Sequence, residues 1–203
     1  MLLGYTILYV IAAVAPMGVP ASRAVAFLGS SHVVALVPPV AAFLFVAASG
    51  GAVNGWLGGM SLTQQILALE ALGIGRRRYL WAPTWLGLGV AALAVSLLFG
   101  LGLCVGGYLY CLHQGIPDGW RLVTGDLVDP RPERIPYLVR AGCLVFVYSW
   151  GVASDVVAAG SADKVESDQV TRAMTGSVVR CTLWVVALEL VSIAVLFAVV
   201  RGG

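Results

Sequence analysis

Apolar residues fill this chain in long blocks broken by short polar stretches, and each block is about long enough to cross the roughly 30 Å of a bilayer interior. The pattern predicts an all-α membrane protein with about five spans, over residues 2–27, 33–57, 79–112, 135–158 and 172–200. Pro16 and Pro20 are expected to bend the first span, because proline removes a backbone donor that hydrocarbon cannot replace. The pair Pro38 and Pro39 predicts a kink or a late start in the second, after a turn at Gly29 to His32. Residues 113–136, rich in Pro, Gly and charge, read as a loop outside the bilayer, and residues 160–171 as a short polar turn.

Between the second and third spans lies GGMSLTQQILALEALGIGRRRYLWAP, residues 58–83. Ser61 followed by Gln64 has the spacing of a capping box and predicts a helix starting at Leu62. Leu62, Ile66, Leu69 and Leu72 then fall on one face, and Gly73 and Gly75 supply the stop. A helix over 62–72 is too short to span. It either lies in the membrane interface, with Arg76, Arg77 and Arg78 holding lipid phosphates, or docks against a soluble partner.

Composition sharpens the class. The chain is 60% hydrophobic and 11% charged, and its mean hydropathy is +0.93. Residues 1–203 therefore read as one membrane domain with no soluble domain of ordinary size, so any ATPase or hydrolase must be another chain. The start of the chain lacks the charged n-region of a signal peptide and reads as a first membrane helix. A net charge of +2 gives no reason to expect a nucleic-acid partner. The arginine cluster is expected on the cytoplasmic side, which puts residues 114–136 outside.

Cys104, Cys111, Cys143 and Cys181 sit in apolar runs without a metal-ligand pattern and read as packing residues. No metal site is expected. His32 and His113 are the only histidines, and no catalytic constellation accompanies them, which argues against a lipid enzyme. His32, placed in a turn, and Asn54 read as packing and hydrogen-bonding residues. Glycines at four-residue spacing, Gly51, Gly55 and Gly59 and then Gly102 and Gly106, suit close helix packing. Arg140, just inside the fourth span, either contacts a lipid headgroup or snorkels outward. Glu189 in the fifth needs a partner on another span or a wet cavity, and Asp155 reads as solvated.

The order of Pro38, Gly58, Met60, Thr63, Gln65, Ala68, Leu69, Leu72, Gly73, Tyr79, Leu80, Pro83, Gly106 and Gly107 resembles the permease signature of the MlaE (YrbE) family. These are membrane subunits of ABC transporters that move lipids with MCE-domain partners. Arg172, Ala173, Thr175, Val178 and Val179 echo the motif that opens the family's last span, and Glu189 stands for its later acidic residue. Four family charges are replaced, by Val34, Ala35, Ala48 and Trp56.

The resemblance implies that residues 62–72 form a cytoplasmic coupling helix. Leu62, Thr63, Gln65, Ile66, Leu69, Glu70, Leu72 and Gly73 would meet an ABC ATPase, with Arg76, Arg77 and Arg78 beside it at the membrane surface. It implies ATP and Mg on that ATPase and no cofactor on this chain. It also implies an MCE-domain lipid-binding partner, a second permease chain in a homo- or heterodimer, and a place in a bacterial inner membrane. Arg140 and Glu189 are the candidates for lipid contact. The rival is a permease homologue acting as a non-transporting scaffold or heterodimer partner, since the replaced charges would lie near a transport path.

Overall fold

The computed structural model describes residues 1–14, 20, 22, 23, 25 and 30–202, with side chains as far as 198. Every regular element among them is helical. In chain order these are α1 (Leu2–Val14), α2 (Ser31–Phe45), a π-helical turn (Val46–Gly50), α3 (Gly51–Leu62), α4 (Gln65–Ala71), a second π-helical turn (Arg77–Trp81), α5 (Ala82–His113), α6 (Gly119–Val128), a 3-10 turn (Pro132–Arg134), α7 (Ile135–Ser161) and α8 (Ser167–Gly202).

Four segments among the described residues are long and apolar enough to cross a membrane: Ser31–Leu62, Arg77–His113, Pro132–Ser161 and Ser167–Ala198. They carry the second to fifth predicted spans, although the last begins five residues before the expected Arg172. Helix α1 is an apolar helix of 13 residues. Beyond Val14 only residues 20, 22, 23 and 25 of the first predicted span are described, so Pro16, like Gly29 of the predicted turn, lies outside the described residues. The second span does not start late. Its first turn is bonded from the Ser30 carbonyl to the Val33 and Val34 amides, at 3.0 and 3.1 Å, so His32 belongs to α2 and is buried there rather than sitting in a turn.

The chain divides into two compact units, residues 1–38 with 96–143 and residues 39–95 with 144–203. In the first, Leu8, Val33, Leu103, Tyr110, Cys111 and Val123 form the core. Small residues bring α1 against α5: a Cβ on Gly4 would strike the Leu103 carbonyl oxygen, and one on Gly106 would strike the Met1 carbonyl oxygen. Tyr5 then meets Tyr110 edge-on at 5.5 Å. Gly106→Ala is therefore expected to lower stability by about 1–3 kcal/mol through overpacking, despite alanine's better helix propensity. Gly87→Ala, with nothing within 4 Å of its Cβ position, should be neutral or slightly stabilising. Melting of both variants in detergent would check this.

The predicted loop at 113–136 contains α6. Asp118 enters it with φ 55°, and Gly115 turns the chain just before it with φ 63°. Val123 is wholly buried and Leu122 and Leu127 pack on the core, so an amphipathic helix was hidden by the Gly, Pro and charge around it.

In the second unit the core is built from Phe45, Leu57, Ile66, Leu88, Val152, Val156 and Cys181. Helix α3 lies along α8. A Cβ on Gly58 would come 2.8 Å from Val170, and one on Gly55 would come 3.2 Å from the Met174 sulfur. Gly51 and Gly59 face open space, so of the four-spaced glycines on α3 only Gly55 meets a neighbouring helix. Asp155 is not simply solvated: its carboxylate takes Arg180 at 2.9 and 3.2 Å and the Ser177 hydroxyl at 2.5 Å. Of the cysteines, Cys104, Cys111 and Cys181 are buried as packing residues, whereas Cys143 is exposed.

Candidate functional site

The capping-box reading of Ser61 does not hold. Its hydroxyl donates to the Ala162 carbonyl at 3.0 Å and accepts the Lys164 amide at 3.0 Å, so it ties the end of α3 to the α7–α8 turn. Helix α3 runs through Leu62, the Thr63 hydroxyl bonds back to the Gly59 carbonyl at 2.9 Å, and Gln64 takes φ 57° to break the axis. Helix α4 therefore starts at Gln65, not Leu62, and carries no side-chain cap at its start. Its end is as predicted for Gly73, which takes φ 78°, while the Ile74 amide bonds to the Leu69 carbonyl at 3.0 Å. Gly75 needs no such conformation.

The face of α4 also differs from the expected one. Ile66 points inward, only 2% exposed, and joins the core of its unit. Leu67 is 53% exposed and Leu72 76%, and Gln65, Ala68 and Ala71 are exposed with them. Leu69 is half-buried. One helical stripe thus anchors α4, and the outward apolar surface is centred on Leu67 and Leu72.

Arg76 fixes this helix to the rest of its unit. The guanidinium forms ion pairs with Glu70 at 3.0 Å and Asp163 at 2.9 Å and donates to the Ser161 carbonyl at 3.2 Å. The Glu70 contact is an ion pair without hydrogen-bond alignment, since Nε lacks an aligned acceptor. Lys164 completes the cluster. Its ammonium, 7% exposed, donates to the carbonyls of Ala159, Gly160 and Ala162 at 2.9, 2.6 and 2.9 Å, closing the end of α7, where unpaired carbonyls gather negative potential. Burial pushes its pKa down, against a smaller opposing pull from Asp163. The α7–α8 turn is thus held from α3 by Ser61 and from the α4–α5 connection by Arg76. Arg77 and Arg78 are exposed.

In the first unit, Arg140 lines a cavity of about 270 Å³ together with Ser30, Ser31, Val34, Ala35, Asp126, Arg134, Tyr137 and Leu138. Arg134 donates to the Ser31 hydroxyl at 2.5 Å and lies 4.0 Å from Asp126. Pro38 and Pro39 have no N–H to give the carbonyls four residues back, which belong to Val34 and Ala35. The cavity therefore combines cations and a carboxylate, and two of its lining residues carry backbone acceptors that lack their usual helix donors.

Residues 1–195 match the family model described as permease MlaE. The chain belongs to the MlaE permease family. It is a multi-pass membrane protein, and the family identifies it as a membrane permease of a lipid transport system.

At the positions where the sequence lacks the charges usual in MlaE permeases, Val34 and Ala35 line the cavity and Ala48 and Trp56 are exposed. The cavity's ionisable groups come instead from α6, the 3-10 turn and α7. Glu189 of this MlaE permease lies half-buried on α8 in the second unit, so it and Arg140 belong to different units. Asn54, buried at 1%, leaves both amide atoms without a partner among the described residues, so it packs but does not hydrogen-bond as expected. Sequence reasoning missed Leu67, Asp163 and Lys164. A lysine just past a helix end is the one local signal that would have pointed to a C-terminal cap.

Proposed function

We propose that this permease works in an ATP-driven lipid transporter of the bacterial inner membrane, as one of two permease chains, with α4 seated on a separate ATPase that binds ATP and Mg. The observation that carries the reading is the division of labour in α4: Ile66 is locked inside while Leu67 and Leu72 face outward beside an arginine bracket. A helix fixed on one side and apolar on the other is suited to pass a push from a docked partner. Arg76 would relay it to the α7–α8 turn, and Ser61 to α3. An MCE-domain protein would take or give the lipid on the opposite side. The cavity holding Arg134 and Arg140 suits an anionic headgroup, with Asp126 orienting Arg134.

The test is co-purification with the ATPase. The pair Leu67→Asp and Leu72→Asp is expected to lose the ATPase while remaining folded, because charges would replace the apolar contact centre. Val128→Asp, at an 81% exposed site on α6, should retain it. Full retention of the ATPase by both α4 variants would refute the docking role.

A further inference from the structure

In the second unit, Arg77, Trp81, Ala82, Trp85, Ser154 and Val157 line an open groove of about 370 Å³. Its walls are tied to one another. The Trp85 indole donates to the Ser154 hydroxyl at 2.8 Å, and that hydroxyl donates in turn to the Trp150 carbonyl at 2.8 Å. The Trp85 ring packs on Trp150 at 4.4 Å. Trp150 in turn closes over Gly89, where a Cβ would come 2.5 Å from the ring. The Trp81 indole nitrogen is buried without an acceptor among the described residues.

The groove's one cation is Arg77. Its neighbour Arg76 is consumed by Glu70 and Asp163. Among the described residues, Arg77 makes neither an ion pair nor a side-chain hydrogen bond. It opens the segment Arg77–His113, which is long and apolar enough to cross the membrane, and headgroup phosphates lie at the ends of such segments. Tryptophan next to a terminal basic residue is the usual composition of a helix end at that level.

We infer that this groove holds an anionic phospholipid, with its phosphate on Arg77 and an acyl chain along Trp81, Trp85 and Val157. The walls exclude a purely ionic ligand: apart from Arg77 and the engaged Ser154 they are aromatic or aliphatic. The inference needs only that Arg77–His113 spans the membrane, and it is independent of the ATPase docking proposed above. The lipid would sit one residue from Arg76, which makes it a structural ligand of the bracket and not transported cargo.

The experiment is native mass spectrometry of the intact permease released from detergent, titrated with phosphatidylglycerol or phosphatidylcholine. Wild type should favour phosphatidylglycerol, and Arg77→Gln should lower that preference about fivefold, as expected for one basic residue at an anionic surface. Arg77→Lys should keep most of it, and Arg78→Gln, altering an arginine outside the groove, should leave it unchanged. An unchanged preference in Arg77→Gln, or an equal loss in Arg78→Gln, would overturn the site. Displacement of the lipid by millimolar inorganic phosphate would overturn it as well, by showing a free-phosphate site. A second measurement uses phosphatidylglycerol brominated on its chains. It should quench wild-type tryptophan fluorescence more than it quenches Trp85→Phe, and equal quenching would place the chain elsewhere.

Discussion

Asp155→Leu is expected to destabilise the permease by about 2.5–3.5 kcal/mol, the cost of leaving an unpaired arginine within a membrane segment. The carboxylate accepts two bonds from Arg180 and one from Ser177, and Cys181 lies 3.5 Å away. Its loss would strand the Arg180 charge within the segment Ser167–Ala198, where a lone guanidinium is costly. The check is unfolding in mixed micelles followed by circular dichroism. The exchange Asp155→Arg with Arg180→Asp should recover part of the loss, because the pair re-forms, but not all of it, because Ser177 and Cys181 would then face the wrong charge. A wild-type unfolding curve for Asp155→Leu would mean that Arg180 finds another partner at no cost.

Lys164→Met should have the second largest effect, about 2–3 kcal/mol. It removes the donor for three carbonyls at the end of α7, and each lost bond is worth about 1 kcal/mol. The pH dependence has a definite sign. Burial lowers the native pKa below the ordinary 10.5, so between the two values the unfolded chain holds more protons than the folded one. Folding stability from this group therefore rises with pH through that window and levels off above 10.5. Below the native pKa the burial penalty is present in full. The stability difference between wild type and Lys164→Met, followed from neutral to alkaline pH, should widen in favour of wild type. A difference that narrows would reverse the assignment.

Hydropathy made four of the five spans legible because a bilayer demands long uncharged helices and little else. The Gly73 stop was legible too, since one residue in the left-handed region suffices to end a helix. The facing of α4 was not. With Ile66, Leu67, Leu69 and Leu72 around a seven-residue helix, helical spacing offers more than one apolar stripe, and only the tertiary core selects Ile66 as the inner one. Ser61 misled for a related reason. A serine three residues before a glutamine can cap its own helix, but this hydroxyl found the backbone at Ala162 and Lys164. Asp155 and Arg180 lie 25 residues apart on different helices, beyond the reach of any local pattern. In the candidate cavity, Arg140 was visible as a charge near a span end. Its companions Asp126 and Arg134 lay within what read as a loop outside the bilayer, with nothing in the sequence to bring them to Arg140.

The π-helical turn at Val46–Gly50 changes how positions along the second membrane segment must be counted. A π turn holds one residue more than an α turn needs, so each position after Gly50 is rotated about 100° from where an uninterrupted 3.6-residue count would put it. Gly55 and Gly58, which meet Met174 and Val170, owe their azimuth to that surplus residue. Cysteine pairs or spin labels placed beyond Gly50 by counting from Pro38 need an offset of one. Without it, a probe meant for the α8 side would report on a neighbouring face of the same helix.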